Sequence, residues 1–239
     1  MSTTLTVATW NLQWKRPGSA AIGVMTERLA AVEPDIVCLT EAYATIALPG
    51  GYAIEAESDY GYPQVKGRRK VLLWSRNPWQ DVDRVGHGDL PTGRFVRGRT
   101  ETPLGPVIVT GLCIPWRDAH VSSGRRNRAP WQDHCAYLAG LTTILAAQEG
   151  RAIVVGDFNQ CIPRRTAPRA VYAALEQALG ARFAVATGGA LAPLDRPSID
   201  HIAHARELLA SEVTALSNTG PGGRLLSDHF GVAAKLRAA

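Results

Sequence analysis

Residues 151–160 read RAIVVGDFNQ: an apolar run, then a glycine, a carboxylate, an aromatic and an amide. A short unbroken run rich in β-branched residues and closed by turn-forming types predicts a strand buried on both faces. Such a strand belongs in a sheet covered by helices or by a second sheet. The unusual part is its end, because a desolvated carboxylate is costly unless it is paired or bound to a cation.

The pattern recurs along the chain. LTVATWNL (5–12), DIVCLTE (35–41), KVLLWS (70–75), GPVIVTGLCI (105–114), SIDHIAH (198–204) and FGVAAKL (230–236) also read as buried strands. Three helices alternate with them. Ser19 caps a segment with Ile22, Met25, Leu29 and Val32 on one face, stopped at Pro34. A second runs from about Pro130 to Gln148 on Leu138, Leu141 and Leu145, and a third carries Val171, Leu175 and Leu179 and ends at Gly180. Early strand–helix–strand order followed by hairpin-like strands predicts an α/β domain, either one mixed sheet or two stacked sheets with helices outside. With no repeat, low-complexity tract or long linker, residues 1–239 are expected to form one domain.

Composition excludes several classes. The 239 residues are 46% hydrophobic and 20% charged, an ordinary globular balance. Lys and Arg number 26 against 21 Asp and Glu, a net +5 that favours an anionic partner without requiring one. Cys38, Cys113, Cys135 and Cys161 are widely spaced with no C-x-x-C, against a zinc site or a disulfide framework. The start lacks the features of a signal peptide, and no apolar run approaches the ~18 residues of a membrane span. A soluble cytoplasmic monomer is the expectation, with no membrane contact and no protein partner to infer. Neither G-x-S-x-G nor G-x-x-x-x-G-K-[ST] occurs. Ser227, Asp228 and His229 are the residue types of a hydrolytic triad, but as sequence neighbours they cannot converge from separate elements.

Acidic and amide side chains stand at the ends of the predicted strands: Asn11, Glu41, Asp157 with Asn159, Asp200 and Asp228 with His229. Any one of them could cap a turn. Converging on one sheet edge, they would suit a hard cation, Mg²⁺ or Mn²⁺, rather than zinc.

TWNLQW, PDIVCLTEA, VVGDFNQ, SIDHI and SDHFGV resemble, in this order, the signature segments of the endonuclease/exonuclease/phosphatase superfamily, from residue 9 to about 232. The resemblance implies a four-layer α/β sandwich, two stacked, mostly antiparallel mixed sheets flanked by helices, and metal-dependent hydrolysis of a phosphate ester. It implies Glu41 as principal metal ligand, with Asn11 supporting metal and phosphate and Asp228 near the metal. Asp157 matches the residue that orients or deprotonates water, Asn159 its companion amide, and Asp200 with His229 the pair whose ring touches the phosphate. It leaves open whether Asp157 or His229 activates the water.

The sequence departs from the family pattern at Gln13, where many relatives carry an acid, and at Cys113, near which they carry His or Tyr. Cys113 is then a small buried hydrophobe or a weak polar contact, and Arg117 or His120 is expected to fill the vacant role. KGRRK (66–70) and SSGRRNR (122–128) are solvated loop charge or two arms of a phosphate-tracking groove, the latter offering Arg125 and Arg126 to substrate. Trp116 and Trp131 flank the second run and either pack or stack on bases. Pro197 stands where abasic-site enzymes often carry an aromatic residue, which favours a general nuclease acting on DNA or RNA. A phosphatase or phosphodiesterase of a small or lipid-linked ester is the alternative, and a catalytically silent binding protein is a third reading.

Overall fold

The structure, a computed structural model, describes residues 3–46 and 48–239. In chain order the elements are β1 (Thr4–Asn11), α1 (Ala20–Ala31), β2 (Ile36–Tyr43), β3 (Tyr52–Glu55), β4 (Arg68–Ser75), β5 (Trp79–Asp83), β6 (Phe95–Thr102) and β7 (Gly105–Cys113). There follow α2 (Gln132–Ala146), β8 (Ala152–Asp157), α3 (Arg169–Leu179), β9 (Phe183–Val185), β10 (Ala190–Leu191), β11 (Arg196–Pro197), β12 (Asp200–Ala205), β13 (Leu208–Leu216) and β14 (Gly231–Ala238). All seven predicted strands and three predicted helices are present.

The strands form two six-stranded sheets, ordered β13-β14-β1-β2-β4-β3 and β5-β6-β7-β8-β12-β9, with β10 and β11 paired separately. Each large sheet holds one parallel pair, β1 with β2 and β7 with β8, and is otherwise antiparallel. The crossover helix of the first pair is α1 and of the second α2, the connection that a parallel pair needs.

The apolar runs are continuous because both strand faces are covered. Val7, Cys38, Val71, Leu73, Val109, Val155, Ile202 and Val232 fill the space between the sheets. The alternate residues of the same strands point outward: Ala8, Leu39 and Leu72 meet Met25 and Leu29 of α1. Leu112, Val154 and Ala203 meet Leu138 and Leu141 of α2 and Leu175 of α3. The layers are therefore helix, sheet, sheet, helix. Ser19 caps α1 as predicted, its hydroxyl accepting from the Ile22 N–H at 3.4 Å.

One rim of this sandwich collects the C-terminal ends of β1, β2, β7 and β8 and the N-terminal ends of β4, β12 and β14. In open α/β sheets the carboxyl ends of parallel strands are where ligands bind. Gly156, the residue before Asp157, has φ 138° and lies against β7 so closely that a Cβ would stand 2.0 Å from the Leu112 carbonyl oxygen. Gly156→Ala is therefore expected to cost about 3 kcal/mol or more of stability in urea unfolding; a loss below about 1 kcal/mol would show that β8 can shift and that glycine is not required there.

Candidate active site

Asp157 closes β8 at the rim and is buried. Its Oδ1 accepts the Asn159 backbone N–H at 2.9 Å, and its Oδ2 accepts the side-chain amide of Asn11, across in the other sheet, at 3.0 Å. Asn11 is aimed by the Gln13 N–H, which donates to its Oδ1 at 2.9 Å. Asn159 takes a left-handed φ of 53°, which Asn tolerates, and its side chain donates to the Ile114 carbonyl at 2.8 Å. Register places Asp200 directly opposite Asp157 on β12. Burial raises the Asp157 pKa; the charge of His229 and the Asn159 N–H pull it back, Asp200 and Glu41 push it up, and it settles at about 7.

His229 precedes β14, and its Nδ1 meets Asp200 Oδ2 at 2.5 Å. Burial alone would lower its pKa, but the charge of Asp200 and the hydrogen bond to it, with Asp157 and Asp228 behind, raise it to about 10. These carboxylates favour the protonated ring, whose Nε2 lines the cleft 3.9 Å from Asp228 Oδ1. Ser227 is fully buried; its hydroxyl donates to the Asn11 carbonyl at 2.8 Å and accepts the His229 N–H at 3.2 Å. It ties His229 to β1 and presents no nucleophile.

Asn11, Glu41, Asp157, Asn159, Asp228 and His229 line one cleft of about 600 Å³, with Asp200 behind His229. Arg117, His120, Arg125 and Arg126 do not line it. Arg117 pairs with Asp118 at 3.4 Å. His120 is buried, stacked on Tyr62 at 4.3 Å, with its Nδ1 accepting the Arg125 N–H, so it orders the loop. Arg126 belongs to that loop with a left-handed φ of 53°. The cleft's cations are instead Arg68, Lys70 and Arg94. Lys70 Nζ sits 2.5 Å from Glu41 Oε1. Arg94 is buried, donates to the Cys113 carbonyl at 3.4 Å, and among the described residues forms no ion pair. Trp14 and Tyr60, stacked at 5.6 Å, and Tyr62 beyond them make an aromatic wall, and the exposed Trp116 also lines the cleft. Trp131 packs edge-on against His134 instead.

Two departures from the family pattern acquire physical roles. Gln13 is exposed and contributes its backbone N–H rather than its side chain. Burial pushes the Cys113 thiol up to about 12, so it is a neutral S–H, 3.9 Å from Asp157 Oδ2.

The donors fit a hard divalent cation. They are oxygens of Glu41, Asp228, Asn11 and Asp157, and Asp200 Oδ1 is buried without a hydrogen-bond partner. Ligand atoms of Asp157, Asp200 and His229 also lie within 4.8 Å of one another. Within that trio Asp200 and His229 engage each other, while Glu41 and Asp228 line the same cleft.

The Endonuclease/Exonuclease/phosphatase family model matches residues 8–229. Among curated proteins no sequence matches. Similar solved structures include the 3' phosphatase NExo from Neisseria bound to product DNA hairpin (TM-score 0.69, 18% identity, covering 96% of this chain and 98% of that one). An AP endonuclease from Archaeoglobus fulgidus is similar at TM-score 0.67 and 17% identity, over 96% and 98% of the two chains. An endonuclease/exonuclease/phosphatase from Beutenbergia cavernae is similar at 0.68 and 16%, over 100% and 72%. At these identities the likeness shows the fold alone. Among the described residues no helix is long and apolar enough to cross a membrane.

Behind Asn159 a buried polar latch holds the rim loops. His134 of α2 donates through Nδ1 to the Pro115 carbonyl at 2.7 Å, and its Nε2 accepts the Gln160 side-chain amide at 2.8 Å. Gln160 in turn offers its carbonyl to His201 Nε2 at 2.9 Å. Burial lowers the His134 pKa to about 4, against an ordinary 6.5, with the Pro115 bond opposing. A histidine depressed in the folded state contributes its full stability above its unfolded pKa and loses it as pH falls toward the folded one. Unfolding free energy should drop by about 2 kcal/mol from this group between pH 7 and pH 5. His134→Gln should flatten that slope in denaturant titrations; an unchanged slope would mean His134 is not held neutral.

Proposed function

The chain belongs to the Endonuclease/Exonuclease/phosphatase family, and on that premise we propose that it is a metal-dependent phosphodiesterase whose substrate is nucleic acid. One observation carries the reading. Asp157, gripped by two amides and poised near neutrality, stands beside an imidazolium fixed by Asp200 on the floor of a cleft lined with cations.

A phosphodiester is anionic and repels a nucleophile, so its charge has to be offset before attack. Glu41, with Asn11 and Asp228, would hold Mg²⁺ or Mn²⁺, which would supply that charge as a Lewis acid. Arg94, with no carboxylate of its own, is a ready donor to a non-bridging oxygen. His229 donates from Nε2 to the same phosphate, its orientation set by Asp200 at Nδ1. Asp157 takes the proton from the attacking water, and Asn11 and Asn159 hold it in line while it does so.

Support for nucleic acid comes from the aromatic wall of Trp14 and Tyr60, from Trp116 and from Arg68, since every nucleotide offers a base π face and a phosphate to such a surface. The Neisseria and Archaeoglobus proteins, a 3' phosphatase bound to a DNA product and an AP endonuclease, make the same extension reasonable. A second reading, a small phosphate ester, is favoured by the 122–128 loop, whose Arg125 and Arg126 lie outside a cleft of about 600 Å³.

The test is a panel of DNA, RNA and synthetic phosphoesters with Mg²⁺ and Mn²⁺. Asp157→Asn and His229→Ala should each lower turnover ~10²–10⁴-fold, and Asp157→Asn should fold at least as stably as wild type because it removes a buried carboxylate. If no substrate shows turnover that Asp157→Asn removes, the enzyme reading fails and a silent binding protein replaces it. Raising salt from about 50 to 200 mM should weaken turnover steeply for nucleic acid; a nearly flat response would favour the small ester.

A further inference from the structure

β2 and β4 are antiparallel neighbours in which Thr40 faces Val71 and Ala42 faces Arg69, so register sets Glu41 opposite Lys70. Glu41 has a left-handed φ of 48°, drops out of the ladder at that point and lines the cleft. Lys70 is nearly buried, and its ammonium meets Glu41 Oε1 at 2.5 Å. The pair is therefore built into the strand register, not made by chance between two long surface side chains. The same ammonium lies 5.2 Å from the ring centroid of Trp14 and 5.8 Å from that of Tyr60.

In the phosphoesterase reading Glu41, which lines the cleft, is also the carboxylate that would hold the divalent cation. Lys70 and that cation together would set three positive charges on one anion in a half-buried cleft, where repulsion is screened far less than in water. The ammonium has somewhere to go: the faces of Trp14 and Tyr60 accept a cation without a counter-ion.

We propose that Lys70 is a tethered competitor for the metal, holding Glu41 while the divalent cation is away and yielding the carboxylate, toward the Trp14 and Tyr60 rings, when it binds. The inference rests on the phosphoesterase reading above, because it takes Glu41 as a metal ligand. Its consequence is a metal site weakened by design of the strand register. The ion pair keeps the metal-free rim neutral at that point, and occupancy follows the surrounding metal concentration. A purely structural salt bridge would make a different prediction, since removing it would lower stability and leave metal affinity where it was.

Calorimetric titration of Mn²⁺ into the full chain and its variants separates these cases, with melting curves confirming that each is folded. Lys70→Met should bind Mn²⁺ about tenfold more tightly than wild type, Lys70→Arg should stay near wild type, and Glu41→Gln should abolish binding in both backgrounds. If Lys70→Met does not fold, Lys70→Gln carries the same measurement. Equal or weaker affinity without the Lys70 charge, with Glu41→Gln still abolishing binding, overturns the competition and leaves the metal at Glu41. Binding absent from every variant, or indifferent to Glu41→Gln, overturns the metal assignment and the competition with it.

Discussion

The hydrogen bond from Asn11 to Asp157 spans the two sheets at their shared end. A carboxylate buried there is tolerable only when donors reach it from more than one element, and Asp157 takes one from β1 and one from its own following turn. The rest of the rim is arranged around that requirement. Asn11 needs the Gln13 N–H to point its amide rather than its carbonyl at Asp157, and Ser227 holds the Asn11 carbonyl while it anchors His229. Left-handed φ values at Gln13, Trp14, Glu41 and Asn159 gather at the same rim. Backbone strain of this kind persists where surrounding structure over-determines it, commonly at functional sites.

Much of the scaffold was readable because strands covered on both faces announce themselves as unbroken apolar runs. The strands not anticipated are mostly those without that cover. β3, β5, β9 and β13 are the four sheet edges, and β13 exposes most of its middle residues. β6, beside an edge, reads FVRGRTET, and its Arg97 and Arg99 reach Asp83 and Asp81. Nothing in an edge strand's composition separates it from a polar loop until a partner is known.

The acidic half of the cleft was legible for a related reason: a carboxylate after a buried run is conspicuous. The cations were not. In the 66–70 run, strand alternation sends Arg68 and Lys70 to the cleft while Arg69 turns away to Glu55 at 2.9 Å, a division that depends on the register of β4. Arg94 lies outside any charged run and gave no signal at all. The 122–128 loop, the more conspicuous cluster, is folded back on itself, with Arg128 held by Asp133 and Arg125 tied through its backbone to His120.

The carboxylates of the cleft differ in their partners, and burial with those partners sets the raised pKa of Asp157. Asp200 has His229 and Glu41 has Lys70, each at 2.5 Å. Among the described residues, Asp157 is hydrogen-bonded only by neutral groups, the Asn11 amide, a backbone N–H and the Cys113 thiol. The His229 charge is nearby, and Asp157 faces Asp200 across the ladder. Burial is the largest influence and outweighs the His229 charge, Asp200 and Glu41 add to the rise, and the Asp157 pKa climbs. Strand register thus sets what each carboxylate meets: Glu41 falls opposite Lys70 between β2 and β4, while Asp157 falls opposite another carboxylate, Asp200, between β8 and β12.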